Sequence, residues 1–110
     1  MTRRESDPEE PAGDPPTRAP TRAEVRDRLA RLADGSLDPD EASQWAWAFD
    51  LADIQGTLAA YGDPVVESGI YSLLLAYIPD GDANHRLYGA LDFAAWLEEF
   101  DAEAQATPEP

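Results

Sequence analysis

The feature that most constrains the fold is an apolar stretch near the C-terminus, in which large side chains recur at helical spacing. Positions i, i+3, i+4 and i+7 of this stretch are Phe93, Trp96, Leu97 and Phe100, so the four side chains share one face of a helix. At roughly 25 cal/mol per Å² of apolar surface, burying that face contributes several kcal/mol. A lone helix would leave the face in water. We therefore expect the rest of the chain to pack against it and these four side chains to form core.

Two upstream helices are predicted from their capping residues. The first begins with a capping box, in which Thr21 is the N-cap and Glu24 the third helical residue, and it ends at Gly35. The second begins at Asp38 and Pro39, because aspartate is a favoured N-cap and proline fits the first helical position. The apolar stripes that these helices are expected to bury consist of Val25, Leu29, Leu32 and Ala33 in the first, and Ala42, Trp45, Ala46, Phe49 and Ala52 in the second.

Two further helices are predicted after a break in the second one. Gly56 interrupts the helical spacing, so the second helix is expected to bend or end between residues 53 and 56. Asp63 and Pro64 repeat the capping pattern, and the third helix is expected to stop before Pro79. Asp92 is expected to cap the last helix. The third helix is expected to bury Val66, Ile70, Leu73, Leu74 and Tyr77.

The predicted fold class is all-α, a small bundle of four or five helices, since no alternation of polar and apolar residues is long enough for a sheet. Residues 1–20 hold five of the ten prolines, which predicts a disordered tail before a helical domain at residues 21–103 and a disordered C-terminus at 104–110. The absence of cysteine excludes disulfides and favours a cytoplasmic location. Neither a membrane span nor a signal peptide is expected.

The formal charge of −15 is unevenly distributed along the chain. The acidic and basic residues of positions 1–31 balance, whereas positions 32–110 carry sixteen acidic residues and a single arginine, Arg86. A field of this sign repels nucleic acid and anionic membranes and attracts basic proteins. An acidity that serves only solubility is the alternative.

Catalytic and metal-binding patterns are weak. His85 is the only histidine, and Glu98 and Glu99 point about 100° apart on a helix, so they do not form an acid–base pair. The stretch 80–84 has oxygen ligands at three positions of a calcium loop but lacks its glycine and its final glutamate, and the stretch 30–41 lacks the first ligands. We therefore expect a protein that is not an enzyme and binds no cofactor or metal. A calcium-responsive module remains a third, weaker hypothesis.

The acidic side chains come from different helix ends and loops, so some of them are expected to cluster near tyrosines. Such surfaces attract a basic partner by charge and hold it by aromatic contacts. Trp47 falls off the buried stripe and is expected to lie under a neighbouring loop, the alternative being an exposed contact surface. The predicted partner-binding residues are Asp63, Glu67, Tyr71, Asp80, Asp82, Tyr88, Glu98 and Glu99.

Residues 21–100 resemble small acidic helical proteins of actinobacteria and, more distantly, the colicin-type immunity proteins. The resemblance is carried by Thr21-x-x-Glu24, by Asp34-Gly35, by Asp63-Pro64 and by the stretch from Leu87 to Glu99. It implies an acidic helical inhibitor of a secreted nuclease. The chain departs from that family at the longer apolar segment 65–78, where no tyrosine pair exists, so no binding residue is carried over.

The leading hypothesis is therefore an acidic bacterial protein that binds and neutralises a basic protein, as an immunity protein or antitoxin does. The alternative is a small structural or adaptor domain that acts through apolar helix–helix contacts or forms a homodimer.

Overall fold

A computed structural model describes residues 18–56, 61–79, 81 and 87–110. These residues form four helices and no β-strand, which confirms the all-α prediction. The helices are α1 (Arg22–Asp34), α2 (Pro39–Gln55), α3 (Pro64–Leu75) and α4 (Ala90–Ala106).

The helix starts and stops follow the predicted caps in α1 and α2. Thr21 and Glu24 form the capping box, with the Glu24 amide 3.1 Å from the Thr21 hydroxyl oxygen. Gly35 and Gly56 end the two helices with φ angles of 84° and 82°, a left-handed conformation that glycine adopts without strain. Asp38 caps α2 by accepting a hydrogen bond from the Asp40 amide at 2.9 Å. The stretch 34–41 is thus a C-cap followed by an N-cap.

Helix α3 stops before Pro79 as predicted, but the N-cap of α4 and the exposure of Tyr77 differ from the prediction. Asp92 is not the N-cap of α4 but its third residue, and its carboxylate accepts from the amide of Gly89, the actual N-cap, at 2.9 Å. Helix α3 ends at Leu75, so Tyr77 lies outside it and is 49% exposed instead of buried.

The packed region extends past the expected domain boundaries of 21 and 103. Pro20 is buried, Ala19 packs against the core, and α4 continues to Ala106. Arg22 contributes to this by donating to the backbone oxygens of Ala104 at 3.2 Å and Pro108 at 3.3 Å.

Helix α1 forms the centre of the packing, because it lies against both α3 and α4, whereas α2 packs chiefly on α3. Phe93 and Phe100 are buried as predicted, while Trp96 and Leu97 lie half-buried at the edge of the core. Leu74, Trp45 and Phe49 also pack half-buried against the core instead of inside it. The fully buried centre consists of Val25, Leu29, Ala42, Ala46, Val65, Ile70, Leu73 and Ala76.

Gly69 is a position of α3 where side chains of both α1 and α4 lie against the helix backbone. A Cβ atom at this position would overlap the Val25 side chain and lie 3.1 Å from the Phe100 ring. Glycine inside a helix costs about 1 kcal/mol relative to alanine. The close approach of three helices explains why α3 carries it.

We predict that Gly69→Ala lowers the free energy of unfolding by about 1–3 kcal/mol, because the added methyl group forces Val25 and Phe100 apart. Urea denaturation measures this change. Ser68→Ala is the matched control, since Ser68 is the exposed neighbour on the same helix and should change stability little. A Gly69→Ala protein as stable as the wild type would show that the helices are not in contact here.

Candidate partner-binding surface

The arginines of the described residues all lie on α1 or just before it. Each arginine there lies within 3.7 Å of a carboxylate oxygen, in the pairs Arg18–Glu24, Arg22–Asp63, Arg26–Asp101, Arg28–Asp27 and Arg31–Asp27. Helices α2 and α3 contain five acidic residues and no basic one. The internal ion pairs therefore occupy the arginines and leave most of the acidity of the α2–α3 pair unmatched within the described residues.

Helices α2 and α3 lie side by side and run in opposite directions. At one end, the Ser43 hydroxyl donates to the backbone oxygen of Leu74 at 3.2 Å. At the other end, Asp50 and Asp53 in the last two turns of α2 and Glu67 in the first turn of α3 are near enough to Tyr61 for their charges to raise its pKa. We call these three carboxylates the acidic cluster.

Two tyrosines belong to this end of the α2–α3 pair. The Tyr71 hydroxyl donates to a carboxylate oxygen of Glu67 at 3.1 Å, which raises the pKa of Tyr71. Burial raises the pKa of Tyr61 strongly, and the charges of Asp50 and Asp53 add to the effect. The Tyr61 hydroxyl has no hydrogen-bond partner among the residues described. Both phenols are therefore neutral at physiological pH.

Asp63 was expected to contact a partner, but it is an internal structural residue. It is only 9% exposed, and Arg22 donates to its two carboxylate oxygens at 2.7 and 3.1 Å. One of these oxygens also accepts from the Val65 amide at 3.1 Å, which caps α3. With all of these donors, Asp63 is not available to another protein.

The other predicted residues do not form a single surface. Glu67 and Tyr71 are together, on the flank of α3 that faces α2. Glu99 lies on the opposite flank, beside Ser68 and Ser72, and its exposed neighbour Glu98 is also on α4. Tyr88 is half-buried, with its ring edge-on to Trp96 at a centroid distance of 4.9 Å. Asp80, Asp82 and His85 lie outside the described residues.

An exposed apolar surface is the feature that sequence reasoning missed. Within the described part of the chain, five of the seven exposed large apolar side chains lie on α2, on α3 or just after α3. We call this group the apolar face, and it consists of Trp47, Ile54, Tyr71, Leu75 and Tyr77.

The expected burial of Trp47 is wrong, since its side chain is 49% exposed. The preceding residue, Ala46, takes the position that points into the core, and Trp47 follows it by 100° around the helix. Its departure from the buried stripe was the available sequence signal. The sequence did not indicate whether a loop covers the Trp47 side chain or whether the side chain is exposed to solvent.

The apolar face contains a groove between the start of α2 and the end of α3. The groove has a volume of about 510 Å³ and is lined by Asp40, Ser43, Gln44, Trp47, Leu74, Leu75, Tyr77 and Ile78. Aromatic and aliphatic side chains around a small number of polar groups are typical of binding sites. The groove and the acidic cluster thus lie at opposite ends of the α2–α3 pair.

No group of three or more histidine or carboxylate side chains in the described residues is arranged to hold a metal ion. None of the described helices has the length and apolar character needed to cross a membrane. No protein-family model matches the chain, and no curated protein or solved structure matches it either.

We predict that Asp63→Asn lowers the free energy of unfolding at neutral pH. The variant should also lose less stability than the wild type as the pH falls into the acidic range. The Arg22 guanidinium lowers the pKa of Asp63, so the unfolded chain takes up this proton at a higher pH than the folded one. The contribution of the pair is present above about pH 4 and is lost as the pH falls through the lowered pKa. Asparagine retains the cap on α3 but not the charge.

Urea denaturation at pH 7 and pH 3 tests this prediction. The difference in stability between wild type and Asp63→Asn should shrink at the lower pH. Asp101→Asn is the matched control, because its pair with Arg26 is exposed and should contribute little. A variant that is less stable by the same amount at both pH values would contradict the assignment of Asp63 as a charged structural residue.

Proposed function

We propose that this chain is a cytoplasmic, non-enzymatic bacterial protein that binds a basic protein and neutralises it, in the manner of an immunity protein or antitoxin. The observation that carries the proposal is the separation of charge in the fold. Each described arginine on or just before α1 lies beside a carboxylate, with Arg28 and Arg31 sharing Asp27. In contrast, Asp50, Asp53 and Glu67 form no ion pair within the described residues.

Charge of this kind acts mainly on association. An unmatched acidic surface accelerates the approach of a basic protein and repels acidic ones, and its effect decreases as salt screens it. Tyr71 lies beside the cluster with its ring exposed and its hydroxyl fixed on Glu67. A rigid tyrosine provides apolar contact area at a low entropic cost, so the cluster combines attraction with an anchor.

The second candidate function, an adaptor domain that acts through apolar helix contacts, is favoured by the apolar face. In its simplest form two copies would pair through this face. Sedimentation distinguishes the two functions, because a dimer that persists at high salt supports the adaptor and a monomer at all salt concentrations supports the acidic binder.

We predict that the triple variant Asp50→Asn, Asp53→Asn, Glu67→Gln weakens binding of the basic partner about tenfold at low salt. The three carboxylates are half-buried, and a charge pair at a protein surface contributes up to about 1 kcal/mol. The matched control is Glu98→Gln, Glu99→Gln, Glu103→Gln, which removes the same number of charges from α4. The control should bind nearly as well as the wild type.

Affinity capture from a bacterial lysate, followed by titration of the purified partner, measures this difference. The proposal requires one basic protein that salt releases, and the activity of that protein should fall when this chain is bound. Failure to retain any basic protein at low salt would contradict the proposal. Equal losses in the two triple variants would show that only the total charge matters.

A further inference from the structure

The apolar face has members on both helices of the α2–α3 pair. Trp47 and Ile54 are seven residues apart on α2 and therefore point in nearly the same direction. Tyr71 and Leu75 are four residues apart on α3 and share its exposed side. Tyr77 completes the wall of the groove opposite Trp47. Two neighbouring helices thus present parallel rows of large apolar side chains to solvent.

The charges around this face select the kind of molecule that fits it. Asp40 lines the groove, and Asp50, Asp53 and Glu67 lie at the other end of the pair. No basic side chain occurs in α2 or α3. A ligand that is apolar on one side and cationic at its edges is complementary to both properties of the surface.

We propose that the apolar face binds an amphipathic helix of the basic partner, with its apolar side chains in the groove against Trp47 and Leu75 and its arginines or lysines on the acidic cluster. This assignment rests on the proposed function and specifies its binding mode. An apolar groove that receives one face of a helix is a common recognition mode. Exposed Trp and Tyr side chains are the residue types that contribute most to such interfaces.

The distance between Trp47 and Asp53 along α2 sets the spacing that we expect between the apolar and the cationic residues of the partner helix. Trp47 and Asp53 are six residues apart, which corresponds to about 9 Å along the helix axis. A helix that lies along the pair therefore presents its apolar anchor and its cationic residues between one and two turns apart.

A second copy of this chain fits the same face poorly. Its α2–α3 pair has five acidic residues and no basic one, so pairing two of these faces would bring like charges together. The charge of −15 on each copy adds to the repulsion. The surface therefore favours a cationic amphipathic helix of another protein over a second copy of this chain.

Binding of synthetic peptides to the full chain tests the proposal. The probe is a labelled helix of leucine and lysine whose leucines follow i, i+3, i+4 and i+7 spacing. A scrambled peptide of the same composition controls for charge, and a leucine–glutamate helix of the same pattern controls for apolar contact. Fluorescence anisotropy measures each dissociation constant at low and high salt.

We expect the leucine–lysine helix to bind at least tenfold more tightly than either control peptide. Trp47→Ser and Leu75→Ser should each weaken its binding about tenfold or more at both salt concentrations, in line with losses of an interface anchor. Leu91→Ser is the matched control variant, because Leu91 is 88% exposed on α4 and outside the apolar face. It should bind as the wild type does. Thermal melting confirms that the variants fold.

Four results would overturn the assignment. Equal binding of the helical and scrambled lysine peptides would refute the helix-binding mode but leave an acidic binder intact. Equal losses in Leu91→Ser and Trp47→Ser would place binding elsewhere. A wild-type dimer that Leu75→Ser dissociates would identify the occupant as a second copy. If neither lysine peptide binds at low salt, the proposed function fails as well.

Discussion

The close approach of α1, α3 and α4 at Gly69 determines the rest of the arrangement. Because α1 packs into the angle between α3 and α4, it occupies the centre, and α2 has only α3 as an extensive neighbour. The residues that α2 buries are all small, namely Ala42, Ser43, Ala46 and Ala52. Its large side chains must then lie half-buried or exposed. The apolar face is thus a consequence of how the three other helices pack.

The sequence predicts the helices better than it predicts the surface, for a physical reason. Capping depends on residues three or four positions apart, so Thr21, Gly35 and Asp38 could be assigned from local spacing alone. Asp92 shows the limit of that reasoning, because the cap itself is Gly89, which has no side chain to signal it. Asp63 was misassigned because its partner, Arg22, lies 41 positions away, and no local pattern reveals that ion pair.

Charge and apolar contact have different roles on the α2–α3 pair. The acidic cluster acts over roughly the Debye length, about 8 Å at physiological salt, and therefore influences encounter. In the proposed complex the groove would act only at contact, where desolvation of Trp47 and Leu75 would slow dissociation. A partner that has cationic residues but no apolar side would arrive quickly and leave quickly. Selectivity on this surface requires both properties in one segment.

The same arrangement explains how an exposed tryptophan, two tyrosines and two aliphatic side chains are tolerated in one region. A contiguous apolar surface normally favours self-association. Here the charged residues of α2 and α3 are all acidic, and each arginine in the described part of the chain lies beside a carboxylate of the same copy. Two copies of this chain, both negatively charged, therefore repel each other before their apolar faces come into contact. A cationic helix would experience the opposite force during its approach, so in the proposed binding mode the same charge disfavours a second copy and favours the partner.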